Sequence, residues 1–173
     1  MSSLEDPSLQ RQKGSPAEPP LPWLGGCLCK RVRYEVRVQP LTLTVCHCTI
    51  CQSRTGSAFS MAMALVRDGF SLTGAATITR DLPGGSGALL TQHFCESCLV
   101  RTHTEPHTNR GVVYVRPGTL DDTSWLVPAA QIWTGNAQRW ACREGMLSFE
   151  AGAPDPGALV RAYRQRSQPV TSS

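Results

Sequence analysis

Seven of the eight cysteines fall in three tight groups: Cys27-Leu28-Cys29, Cys46-His47-Cys48-Thr49-Ile50-Cys51 and Cys95-Glu96-Ser97-Cys98. Cysteine scattered through a core behaves as a small hydrophobe, and two cysteines one or two residues apart bridge each other poorly, so the grouping points to metal binding. A CxxC turn aims two thiolates at one centre. Cysteines at i and i+2 of a strand share a face, so both spacings can chelate a tetrahedral zinc ion. A closed structural zinc takes four ligands, and seven cysteines therefore divide into a set of four and a set of three with an open position. Spacing alone does not choose the sets. Cys48 and Cys51 with Cys95 and Cys98 would also make a zinc-ribbon site, leaving Cys27, Cys29 and Cys46 over.

An open zinc held by three thiolates carries net negative charge, which makes it a weak activator of water and hydrolysis the less natural use. A thiol can take the fourth position as a thiolate, its sulfur kept nucleophilic for addition to an aldehyde carbonyl, or for departure from carbon in reverse. That is carbon–sulfur lyase chemistry. His93 is the candidate proton donor, because a strand would put it on one face with Cys95, against the plainer reading of a half-exposed strand histidine. Arg54, three residues past Cys51, is the candidate for the carboxylate of an anionic thiol, helped by Thr55, Gly56 and Ser57. A surface arginine on an ordinary turn is the competing reading, and Arg101, three residues past Cys98, is the weaker alternative for that role. His47 should point away from the metal as a structural or supporting group. His103 and His107 read as solvated loop residues, Trp125, Trp133 and Trp140 as core, Asp121-Asp122 as a local cap, and Cys142 as a buried free thiol.

The elements that must position these groups are mostly strands. Of 173 residues, 40% are hydrophobic and only 17% charged, with 15 glycines and 13 prolines, a composition suited to a turn-rich, mainly β domain. Cys27-Leu28-Cys29 reads as a strand continuing through Val32 to Val38, and Leu41–Val45 as a second alternating run entering the central thiols. Gln52–Ser57 reads as a polar turn, Ala58–Val66 as a buried strand, and Pro83–Gly87 as a flexible loop. Leu89–Phe94 leads into the Cys95/Cys98 knuckle. Thr104–Gly111 reads as loop, Val112–Arg116 as strand, and Gln131–Thr134 and Met146–Phe149 as the last strands. Residues 1–22 read as a disordered leader, 23–152 as one zinc-binding domain, and 153–173 as a mobile or partly helical tail.

Net charge is +4, with arginines spread along the chain and no lysine-rich run, so nucleic acid is not indicated. The first residues lack a signal-peptide pattern and no apolar run suits a membrane span. A cytoplasmic protein with reduced thiols, acting on a small-molecule thiol or thiol adduct, is the expectation, with room for a homodimer.

With its flanks in view, the chain resembles the glutathione-dependent formaldehyde-activating enzymes, or S-(hydroxymethyl)glutathione synthases, a family to which centromere protein V is also similar. The resemblance rests on Gly26–Cys29 with Val32-Arg33-Tyr34, Cys46–Cys51 with Thr55–Phe59, Phe94–Cys98, Gly118–Asp122 and Ile132-Trp133-Thr134. It implies a Mss4-like, or β-tent, fold of antiparallel sheets. It also implies two zinc ions, a structural one on Cys27, Cys29, Cys95 and Cys98 and one at an open catalytic site on Cys46, Cys48 and Cys51. Lys30 and Leu99 stand where relatives usually have glycine, and Gln131 where many have histidine. A zinc-stabilised binding or chromatin-associated module is the alternative function. The intact trio beside Arg54–Ser57 is what such a module would not need.

Overall fold

The computed structural model describes residues 17–166; most of the expected leader, and positions 167–173 of the expected tail, lie outside the described residues. Eleven strands form two sheets. The smaller has the order β1 (Trp23–Gly26), β2 (Arg33–Val36), β5 (Phe70–Leu72), all antiparallel. The larger runs β11 (Leu147–Phe149), β10 (Ala130–Ile132), β3 (Thr42–Cys46), β4 (Ser60–Val66), β9 (Val112–Val115), β8 (Arg101–Pro106), β7 (Leu89–Phe94), β6 (Ile78–Pro83). It is antiparallel except at one edge, where β10 runs parallel to both β3 and β11.

Period-two patterning places the core. Tyr34 and Val36 of β2, Phe70 of β5, Leu43 of β3, Met63 and Leu65 of β4, and Val113 and Val115 of β9 belong to one buried cluster drawn from both sheets. Each such side chain contributes about 1.5–3 kcal/mol by leaving water. Gly25 is required here: a Cβ on it would lie 2.4 Å from the Tyr34 ring, whose hydroxyl bonds Thr119 Oγ1 at 2.8 Å.

Several expectations are corrected. Cys27 to Val32 is not strand but a tight turn after β1, because the backbone folds back to bond Lys30 N to Cys27 O and Cys27 N to Val32 O. Gln52–Thr55 is helical, part of α1 (Thr49–Thr55), which ends on left-handed Gly56. Thr104–Pro106 belongs to β8, where threonines pair well across strands, so His103 is buried at 1% exposure rather than solvated. Trp140 is 77% exposed, not core, while Trp125 is buried. In the tail, α2 (Pro156–Arg166) places Tyr163 in the core cluster. Among the described residues no helix is long and apolar enough to cross a membrane.

Candidate metal centres and the adjoining cavity

Two turns of the same design bring four thiols together. In the second, as in the first, the backbone closes on its own cysteine: Leu99 N bonds Cys95 O at 2.9 Å and Cys95 N bonds Val100 O at 3.0 Å. Lys30 and Leu99, each at the closing position, are held at φ 63° and 57°. The Sγ atoms of Cys27, Cys29, Cys95 and Cys98 lie within 4.8 Å of one another, with Cys27 to Cys29 at 3.4 Å and Cys29 to Cys95 at 3.6 Å. Tetrahedral zinc with bonds of about 2.3 Å to sulfur separates its ligands by about 3.8 Å, so the donor set fits the ion. The Val32 amide donates to Cys27 Sγ at 3.3 Å, and Arg31 reaches across to Ser97 Oγ at 2.7 Å, joining the two turns.

Cys46, Cys48 and Cys51 make the second group, again within 4.8 Å. Cys46 ends β3, Cys48 caps α1 and Cys51 lies in its first turn, where its amide donates to Cys48 Sγ at 3.3 Å. Hydrogen bonding from Cys46, then from Cys48, and the charges of Arg116 and Arg101 hold the Cys51 thiol down at about 6. Cys46, sharing its bond with Cys51, is pushed far up. Left alone, the trio holds one thiolate readily and three only with a cation among them, which is the behaviour of a metal-binding set. The remaining cysteine, Cys142, is half-buried outside both groups.

Beside the trio lies a cavity of about 500 Å³, lined by Arg54, Arg101 and Arg116 and by apolar side chains including Phe59, Phe94 and Leu99. Ser60, paired with Cys46 in the β3–β4 ladder, and Thr55, whose hydroxyl donates to Cys51 O at 2.9 Å, connect it to the thiols. Arg116 donates to Ser60 Oγ at 3.2 Å, Met61 O at 3.2 Å and Thr104 Oγ1 at 3.1 Å, and its buried Nε has no partner. Burial pushes it down to about 9, still cationic at neutral pH. Arg101, lowered by burial too, is held by Gln92 Oε1 at 2.8 Å. Neither cation is paired with a carboxylate in the ion pairs of the described residues.

The tip of the β6–β7 hairpin closes over the trio. A Cβ on Gly85 would lie 3.0 Å from Cys48 Sγ and 3.1 Å from Trp133 Nε1, and Arg54 donates to Pro83 O at 2.8 Å. Trp133 itself sits at φ 61°.

Of the residues expected at the site, Arg54 and Thr55 line the cavity, with Arg54 also anchoring the hairpin. The Gly56 amide is spent on Gln52 O as the helix cap, and Ser57 is exposed. His47 is buried with its ring toward Gln131 and Phe59. His93 converges not with the trio but with His103 and Glu105. Asp121 pairs with Arg33, and Asp122 caps Ser124, as local elements. Arg116, Gly85 and the placement of Trp133 escaped the sequence reading. The signal for Arg116 was a charge ending the otherwise apolar run Val112–Val115.

The family model for the glutathione-dependent formaldehyde-activating enzyme matches residues 23–136, well over half of the chain. The chain belongs to that family. The crystal structure of a Rhodobacter sphaeroides protein aligns with a TM-score of 0.46 at 17% identity, covering 73% of this chain and 98% of that one.

Proposed function

We propose that this chain makes or breaks the carbon–sulfur bond of an anionic thiol adduct of the glutathione type, at the open Cys46/Cys48/Cys51 centre. The observation that carries the proposal is the pairing of an incomplete thiol set with two largely desolvated guanidinium groups that have no carboxylate partner. Uncompensated buried cations are costly, so an incoming anion is favoured at that point. Zinc on the trio would supply a position at which a thiol loses its proton yet stays nucleophilic.

Arg116, fixed by three oxygen acceptors, sets a positive potential beside Cys51. Arg101, held by Gln92, and Arg54, tethered by one nitrogen to Pro83, present their remaining N–H groups to the substrate carboxylates. Phe59 and Phe94 give the cavity apolar walls that limit water around the reacting atoms. In the forward direction the thiol sulfur adds to the aldehyde carbon, the carbonyl π pair moves to oxygen, and the proton lost by sulfur ends on that oxygen. The reverse reaction returns thiol and aldehyde. Seven clustered reduced thiols suit a reducing compartment, and the cytoplasm is the proposed location.

Replacing Arg101 by alanine should weaken glutathione binding by about 1.5–3 kcal/mol, the range for a charge-assisted hydrogen bond. Binding of neutral 2-mercaptoethanol should be nearly unchanged, and metal content should be intact. Calorimetry with the two thiols measures both; an Arg101→Ala protein that binds glutathione as its parent does would overturn the assignment of Arg101.

A further inference from the structure

His93 and His103 face each other across the β7–β8 ladder, and Glu105 follows two residues on along β8, so all three side chains project on one face. The imidazoles stack with centroids 4.0 Å apart and planes at 17°. Each ring is hydrogen-bonded through the same nitrogen: His93 Nδ1 with Thr77 Oγ1 at 2.9 Å, and His103 Nδ1 with Thr102 Oγ1 at 3.0 Å. Glu105 Oε1 is taken by Arg67 Nε at 2.9 Å, while Oε2 stands 3.9 Å from His93 Nε2. His93 Nε2 is buried with no hydrogen-bond partner. One ligand atom from each residue falls within 4.8 Å of the others.

We propose that His93, His103 and Glu105 form a separate site for a divalent transition-metal ion, bound through the two Nε2 atoms and Oε2. An orphaned buried nitrogen is costly unless something ligates it. Metal-bound histidines typically give their other ring nitrogen to a hydrogen bond that fixes tautomer and orientation, and ligating carboxylates are likewise held by a neighbour. Both conditions are met here: each Nδ1 is hydrogen-bonded to a threonine hydroxyl, an arrangement that in the Nδ1–H tautomer leaves both Nε2 lone pairs for a metal, and Arg67 holds the carboxylate. Two histidines and a carboxylate on one face are a donor set that suits Fe²⁺, Co²⁺ or Zn²⁺. Bonds of about 2.0–2.2 Å require the ligand atoms to draw to roughly 3–3.5 Å: the partly exposed Glu105 side chain must swing in, and the stacked imidazoles must tilt out of parallel so that both Nε2 lone pairs meet one ion. The site shares no ligand with either thiol group.

The test is a Co²⁺ titration of the full-length, zinc-replete protein, followed by visible absorption and equilibrium dialysis. One further equivalent of Co²⁺ should bind, with weak ligand-field bands and no sulfur charge-transfer absorption. Glu105→Gln, which keeps an acceptor for Arg67, and His93→Asn, which keeps the Thr77 contact but removes Nε2, should each weaken that binding at least tenfold, within the range for altered metal surroundings. Glu105 is partly exposed, so its variant tests the proposal even if changes at the buried histidines disturb folding. Absence of an additional equivalent, Co²⁺ entering only with sulfur charge-transfer bands, or unchanged binding by Glu105→Gln would overturn the proposal.

Discussion

Lys30 and Leu99 carry the cost of the two thiol turns. Each occupies a left-handed backbone position that glycine adopts freely. Relief of about 1–2 kcal/mol of such strain, set against about 0.5–1 kcal/mol of added chain entropy, gives Lys30→Gly a net gain of about 0.5–1 kcal/mol. Denaturant unfolding at fixed zinc measures it, and an unchanged or lower midpoint would show that the turn tolerates lysine without strain. Leu99→Gly should gain similarly, yet Leu99 also lines the cavity, so its variant should admit bulkier thiols that the parent excludes. A competition assay between glutathione and a thiol with a larger apolar substituent checks this. The strain at Leu99 is thus tied to a wall of the cavity, whereas that at Lys30 has only the turn to serve.

At the scale of elements, the β6–β7 hairpin depends on a single absent side chain. Gly85→Val would drive its side chain against Cys48 and Trp133, lifting the tip. Metal affinity at the trio should fall roughly tenfold or more, as when supporting contacts around ligands are lost, with little change in the four-thiol set. Competition with a chromophoric chelator resolves the two sets, and equal loss from both would contradict local coverage. The hairpin also shows where sequence reading stops. Alternation exposed most strands, and the cysteine spacing exposed both thiol groups, because these signals are local. Residues Gln52–Thr55 looked like a turn because a seven-residue helix, just under two turns, has no room for an apolar stripe. Thr102-His103-Thr104 looked polar, but hydroxyl and imidazole groups satisfied by one another can be buried in a sheet. Spacing after Cys98 offered Arg101 as an alternative, but its meeting with Arg116, just past the end of the neighbouring strand, around Cys51 depends on register that spacing does not reveal.

For the whole molecule, the four-thiol set closes a loop between residues 29 and 95, tying the small sheet's first hairpin to the large sheet. Cys98→Ser should lower the melting temperature on the order of 10 °C, since metal binding to such a set is folding free energy, while Cys51→Ser should mainly cost activity. Calorimetric melts of the two variants compare them directly; matching losses would refute the division of labour. The turn that holds Cys95 and Cys98 passes straight into Leu99, Val100 and Arg101, which wall the cavity of the other centre. A shared wall gives the two centres a physical route to thermodynamic linkage. If an arriving thiol steadies that wall, the structural metal must be held more tightly by the same factor, because coupling between two binding equilibria is reciprocal and typically about 1–3 kcal/mol. Glutathione should therefore slow the loss of zinc from Cys27, Cys29, Cys95 and Cys98 to a strong chelator, a centre it never touches, so that the rate of metal loss becomes a measure of substrate occupancy.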